Sequence, residues 1–161
     1  MNKQTIFLDK GRAWCSTREY SASEVKEKLI KAKCPESLIA VIIDSLIHEK
    51  FIDELRLSKA YIHDKTLFNH WGKVKIRMML RRKRINEKTI DQAFNETVLE
   101  NTNEIIHALI TEKWKNIKGK SFADKKIKLM RYLISKGYEY EEVIETTKFI
   151  KEDAEPDSFN F

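Results

Sequence analysis

Seven lysines and arginines fall between residues 73 and 84, with no acidic residue among them. On a helix turning about 100° per residue, with Ile76 at the origin, Leu80 and Met79 stay on one side. Lys73, Arg77, Arg81 and Arg84 then gather between about 60° and 140°, apart from Lys75 and Arg82. A guanidinium is a planar fork that donates two parallel hydrogen bonds, so this stripe offers anion recognition: DNA phosphates, partner carboxylates, or both. A second basic stretch, 113–136, holds nine Lys or Arg against Asp124 alone, and Lys120, Lys125, Lys128 and Arg131 within it extend the candidate surface. The competing reading is a solvated basic face that contacts nothing specific.

Bond-making chemistry has little to stand on. His48, His63, His70 and His107 lie in different segments, with no HExxH and no close Cys/His grouping, so no metal site is expected. There is no glycine-rich phosphate loop and no GxSxG turn. Glu141, Glu142 and Glu145 read as a solvated acidic face, because nothing in the pattern desolvates them into an acid/base pair. Neither catalytic residues nor a cofactor are expected, and any effect on catalysis would be exerted on a partner.

These cations need elements to hold them. Only four Gly and two Pro occur in 161 residues, 35% of which are charged, and Lys, Glu, Ile and Leu dominate. That composition suits helices far better than a turn-rich sandwich. Cys15 and Cys34 form no CxxC, which favours a reducing compartment. No apolar run approaches the ~18 residues of a membrane span, and Met1–Lys10 lacks a signal peptide's pattern. A cytoplasmic protein with no membrane partner is expected. Net charge is +6, distributed as +2 over 1–52, +4 over 53–100 and zero over 101–161. The last third divides into the basic stretch and an acidic end. Basic blocks draw phosphate backbones through counterion release.

A repeat organises the chain. Val25-xxx-Leu29-xxx-Lys33-Cys34 recurs 51 residues on as Ile76-xxx-Leu80-xxx-Arg84-Ile85, and 53 further as Leu129-xxx-Leu133-xxx-Gly137-Tyr138. Each copy is followed by a polar start and a second apolar stripe at helical spacing, and preceded by another amphipathic segment: Arg12–Thr17, Asp53–Leu67 and Asn103–Ile117. Ser21 with Glu24 has the capping-box form, Ser121 with Asp124 is an Asp variant, and Asn86 and Asp53 are candidate N-caps. Gly137 stands where a helix end visits positive φ, a place its counterparts Lys33 and Arg84 must fill with a Cβ. The expected architecture is all-α, an elongated, curved array of three tandem three-helix repeats. Its parts are an extension at 1–10, repeats at 11–52, 53–100 and 101–152, and an acidic, frayed tail at 153–161. Units this small need stacking on their neighbours to bury enough surface. Trp14, Tyr61 and Trp114 are expected as packing anchors, the alternative being a stacking platform for nucleic-acid bases.

Phe51-Ile52-Asp53-Glu54-Leu55-Arg56, followed by Lys59-Ala60-Tyr61-Ile62-His63-Asp64-Lys65, resembles the central motif of the RecX family of recombination regulators. Trp71-Gly72-Lys73-Val74-Lys75-Ile76-Arg77 through Leu80 is similar in the same way, and Arg18-Glu19-Tyr20-Ser21 with Glu24, Val25 and Leu29 is similar to the first-repeat pattern. The likeness runs from about residue 11 to 152, strongest in the middle and weakest in the third unit. Lys33 and Arg84 stand where the family usually carries glycine.

The resemblance implies a non-enzymatic regulator that binds RecA filaments on single-stranded DNA, occupies their groove and restrains ATP hydrolysis and strand exchange. The implied partners are the RecA filament with single-stranded DNA, and double-stranded DNA besides. A monomer is expected. The alternatives are a general helical DNA-binding protein, or an α-solenoid adaptor without a recombinase partner.

Overall fold

The computed structural model describes residues 2–152 and 154–161. Met1 and Asp153, which open the expected extension and the expected tail, lie outside the described residues. The described residues form nine α-helices and one 3-10 turn, with no strand. In chain order the helices are α1 (Lys3–Cys15), α2 (Ala22–Lys31), α3 (Glu36–His48), α4 (Glu54–Leu67), α5 (Lys73–Arg82), α6 (Glu87–Glu96), α7 (Thr102–Asn116), α8 (Phe122–Ser135) and α9 (Tyr140–Thr147). None of them is long and apolar enough to cross a membrane.

Residues 3–10, expected as an extension, are instead the first part of α1. Asn2 supplies the cap, accepting from the Thr5 N–H at 2.8 Å. Other caps fall where the sequence places them. Ser21 and Glu24 close a reciprocal capping box, and Asn86 accepts from the Thr89 N–H at 2.8 Å. Ser121 accepts from the Asp124 N–H at 3.1 Å, while Asp124 reaches back past it to the Lys120 N–H at 3.0 Å.

The repeated break is one hydrogen-bonded device used three times. Lys33, Arg84 and Gly137 all take positive φ, at 59°, 62° and 97°. The residue after each sends its N–H back to the carbonyl five positions earlier: Cys34 to Leu29 at 3.0 Å, Ile85 to Leu80 and Tyr138 to Leu133 at 3.3 Å. The left-handed residue itself bonds to the carbonyl three before it, at 2.9 Å in each copy. This pair of bonds is the Schellman arrangement, which satisfies helix-end carbonyls. It also explains the apolar pairs in the repeat, since Leu29 with Cys34, Leu80 with Ile85 and Leu133 with Tyr138 are buried together at the turn. Lys50 ends α3 in the same way, at φ 63° with Phe51 donating to Leu46 at 2.9 Å.

Two compact units result. The first is Met1–Tyr61 with Met79–Thr97, and the second is Ile62–Met78 with Val98–Phe161. The division passes through α4 and α5, so the middle repeat contributes to both.

In the first unit α1 and α2 pack on α3 around Val25, Leu29, Ile42 and Leu46, none of which is exposed at all. Burying each such side chain contributes about 1.5–3 kcal/mol. Gly11 lets α1 approach α3, for a Cβ there would sit 2.7 Å from Leu46 Cδ1. Three charged contacts add specificity at the margin: Arg12 to both oxygens of Glu49 at 2.7 Å, Arg56 to Glu19 at 2.6 Å and Lys83 to Glu24 at 2.8 Å. The Asp53–Arg56 run stitches this unit together. Asp53 accepts from the Arg56 N–H at 3.0 Å, Glu54 accepts from the Ala22 N–H at 3.0 Å, and Arg56 also donates to the Lys50 carbonyl at 3.1 Å.

In the second unit α7, α8 and α9 enclose Ile106, Ile110, Trp114, Leu129, Leu133 and Val143. The start of α5 closes onto the end of α8. Gly72 N–H donates to the Lys136 carbonyl at 2.8 Å, and Val74 N–H to the Gly137 carbonyl at 3.0 Å. Free donors of one helix start thus satisfy free acceptors of another helix end. Tyr138 donates from its hydroxyl to the His70 carbonyl at 2.9 Å, and Lys136 Nζ to the Asn69 carbonyl at 3.1 Å. A Cβ on Gly72 would overlap the Gly137 carbonyl, and one on Gly137 would overlap Lys75. Only two glycines fit.

Gly72→Ala should therefore destabilise the protein by about 2–3 kcal/mol through overpacking and loss of these backbone bonds, read as a lower urea midpoint. Lys33→Gly should do the opposite. Removing a Cβ from a left-handed residue should stabilise by about 0.5–1 kcal/mol, net of the freer unfolded chain, and raise the same midpoint.

Candidate nucleic-acid interface

The eight cations singled out in the sequence belong to two different compact units. On α5 the apolar side is as expected, with Ile76 and Leu80 buried, and Lys73 and Arg81 are exposed. Arg81 is engaged, however: Nε binds Glu87 Oε1, and Nη2 binds Oε2 at 3.1 Å. That pairing holds the guanidinium above its ordinary pKa. Arg77 is half-buried and likewise engaged within the protein. Arg84 is exposed but lies beyond Arg82, the last residue of α5, in the left-handed turn. The helical phase that aligned it with Arg77 and Arg81 does not continue there. Lys73 and Arg77 belong to the second unit, Arg81 and Arg84 to the first.

The third-repeat cations divide between two clefts. Lys128 and Arg131 line one of about 510 Å³ between α7 and α8, with Lys113, Lys118, Tyr132 and Ser135. Lys128 Nζ donates to the Lys118 carbonyl at 2.9 Å and pairs with Asp124 at 3.2 Å. The Lys120 N–H, and then the Lys128 ammonium, hold the Asp124 carboxyl below its usual range. Lys113 Nζ sits 4.4 Å from the Tyr132 ring centre. Among the described residues, Lys118 and Arg131 form no ion pair, so their charge faces solvent beside the cleft. Lys113 and Lys118 were not singled out individually from the sequence. Lys113 lies in the last turn of α7, whereas Lys118 follows the extended C-cap Ile117, so helical spacing does not place the two together.

Lys125 belongs to the other cleft, about 540 Å³ and lined also by Trp114, Lys115, Phe122, Glu152 and residues 154–157. Its Nζ lies 4.3 Å from the Trp114 ring centre. Lys120 is exposed and lines neither cleft.

The last residues are docked rather than frayed. Phe161 stacks on His107 at 4.1 Å and 7°, Phe159 meets Trp114 edge-on at 6.2 Å, and Asp157 pairs with Lys115 at 3.0 Å. Desolvation lowers the His107 pKa, while the bond to Asp157 raises that of Lys115.

Of the expected anchors, Trp114 is 5% exposed, while Trp14 and Tyr61 are half-buried. Two ammonium groups approach the Trp71 ring, Lys75 at 4.4 Å and Lys65 at 5.0 Å from its centre. Phe68 beside it is 74% exposed.

Burial pushes the Tyr138 hydroxyl up from about 10 to about 12, with Glu142 and Tyr132 adding to the effect. Between those values the unfolded chain has lost the phenolic proton and the folded one keeps it, so stability falls as pH rises through the interval. Urea titrations at pH 9 to 12 should show this decline in the parent, with the tyrosine contribution absent from Tyr138→Phe.

Comparison with known proteins gives a consistent outcome. The family model described as the second three-helix domain of RecX matches residues 53–93, and that of the third three-helix domain matches 100–145. The chain is 33% identical over 132 residues to the regulatory protein RecX of Clostridium acetobutylicum, covering 79% of this chain and 60% of that protein. It is 32% identical over 122 residues to that of Clostridium tetani, covering 74% and 56%. The chain thus spans little more than half the length of these clostridial relatives. With the regulatory protein RecX of Vibrio parahaemolyticus identity is 29% over 138 residues, covering 86% and 87%. A crystal structure of regulatory protein RecX superposes with a TM-score of 0.82 at 23% identity, covering 91% of this chain and 73% of that one. RecX from Lactobacillus salivarius gives 0.76 at 18%, covering 91% and 95%. These two likenesses establish the helical fold.

Proposed function

The chain belongs to the RecX family of regulatory proteins, and from that premise we propose that it binds RecA nucleoprotein filaments and restrains their activity by occupancy. In this reading it performs no bond chemistry. It lays cations into the filament groove, where DNA phosphates and RecA carboxylates answer them, and so slows ATP hydrolysis and strand exchange. The proposed contact residues are Lys73, Arg77, Arg81 and Arg84 of the middle repeat with Lys120, Lys125, Lys128 and Arg131 of the third, joined by their cleft neighbours Lys113 and Lys118.

One observation carries the reading. In the α7–α8 cleft Lys113, Lys118, Lys128 and Arg131 line one groove with Tyr132, whose ring Lys113 covers. Among the described residues Lys128 pairs with Asp124, which also feels the Arg131 charge, and Lys113 and Lys118 form no ion pair. Cations left without acids keep their charge available to a polyanion, and an aromatic face beside them suits single strands. Arg77 and Arg81 serve differently, since each is already engaged inside the protein and must exchange that engagement for a filament contact.

RecA's DNA-dependent ATPase, titrated with the protein, tests this. The parent should inhibit. Lys118→Glu/Arg131→Glu should lose inhibition while the helical circular-dichroism signal stays unchanged, because neither side chain has an internal ion pair to break. Engagement of four to six phosphates should give a slope of log affinity against log salt of roughly −3.5 to −5.5 on duplex and about −3 to −4 on single strands. Salt-sensitive DNA binding without any effect on RecA would instead favour a general DNA-binding protein. No DNA binding at low salt would favour an adaptor.

A further inference from the structure

The segment 154–161 reads Ala-Glu-Pro-Asp-Ser-Phe-Asn-Phe, carboxylates followed by two flat rings. It lies on a face of opposite and complementary chemistry. Phe161 is stacked face to face on the His107 imidazole, and Phe159 and Phe122 each meet Trp114 in a T-shaped contact, Phe122 at 5.8 Å. Asp157 takes the Lys115 ammonium, and Lys125 stands over the indole. Rings on rings and carboxylate on ammonium are the contacts that the bases and phosphates of a single strand would make.

The hold is light. Asp157 is 80% exposed and its pair with Lys115 is a surface pair, a class of contact that contributes little. The docking is incomplete, for a cleft of about 540 Å³ lined by Trp114, Lys115, Phe122 and Lys125 stays open beside the segment. Charge is also unbalanced. Residues 113–131 carry eight Lys or Arg against one Asp, whereas 152–161 bring four acidic residues. A longer polyanion would satisfy what the segment leaves over.

We propose that the face formed by His107, Trp114, Lys115, Phe122 and Lys125 is a stacking site for single-stranded DNA, kept closed by residues 154–161 as an internal competitor. The inference rests on the reading that the protein works on a DNA-coated filament, and it adds a second cleft and a gate to it. Binding of the strand lifts the segment, so affinity is set by competition rather than by the cations alone.

The test uses the full chain and labelled oligothymidylate. Phe159→Ala/Phe161→Ala, which frees the segment, should bind about tenfold tighter than the parent and with a steeper salt slope. Asp157→Asn, an exposed change that leaves the rings in place, should gain about threefold. A synthetic peptide of residues 154–161 should reverse the gain of the double variant, and adding Lys115→Glu/Lys125→Glu to that variant should abolish it. Should the double variant fail to fold, as judged by circular dichroism, Asp157→Asn and the peptide acting on the parent decide the matter. Equal affinity of parent and freed variants overturns the proposal, as does a peptide that binds the face without displacing oligothymidylate. Inhibition of RecA by the parent with no change on freeing the segment would sink this inference and leave the filament reading standing. A gain in strand binding with no effect on RecA would do the reverse.

Discussion

Two backbones meet at Gly72 and Gly137 with nothing between them, and the second unit is organised around that approach. The start of α5 arrives at the end of α8 close enough for main-chain donors to meet main-chain acceptors. Helix ends are costly when buried unless their free groups find partners. Here each end supplies what the other lacks, and Tyr138 and Lys136 add side-chain bonds to the same loop. The close approach also explains why the compact units do not follow the repeats. Residues 62–78 are fixed to the third repeat by this union, while 79–97 are tied to the first repeat by Lys83 with Glu24 and to the start of α4 by Lys59 with Glu96.

Much of the helical plan was legible because each repeat writes its turn chemistry into its apolar spacing. Leu29 with Cys34, Leu80 with Ile85 and Leu133 with Tyr138 are the closing pairs of one hydrogen-bonded turn, so the period is read from residues that touch. The left-handed positions were legible too, although Gly137 alone advertises one and Lys33 and Arg84 inherit it by alignment. The start of α1 was not. Gly11 interrupts the apolar pattern between Phe7 and Trp14 and lowers local helix preference, while its value lies in the distant approach of Leu46. Asn2 ahead of Thr5 was the local signal that could have revealed it. The final segment was missed for the same reason: polar, proline-containing sequence looks frayed until Trp114 and His107 are placed beneath its two rings.

The candidate surface was legible as charge and not as geometry. A helical wheel separates Lys73, Arg77 and Arg81 from the core, yet it cannot show that Glu87 waits for Arg81 six residues on. Nor can it show that α8 turns Lys125 toward an indole while Lys128 and Arg131 face the neighbouring groove. Counting cations overstates what is available to a ligand. Those that remain uncommitted, Lys118 and Arg131 among them, lie where α7 runs alongside α8.

The Asp53–Arg56 run, whose resemblance first pointed to the family, holds repeats together: Glu54 accepts from Ala22, and Arg56 clasps Glu19 and the end of α3. Its signature is therefore a mark of scaffold kinship. In a genetic screen for lost regulation, alleles at Glu54 and Arg56 would emerge as thermolabile folding lesions, curable by growth in the cold. Under the proposed function, alleles at uncommitted surface cations would stay defective at every temperature, and that contrast would separate the girders from the tools.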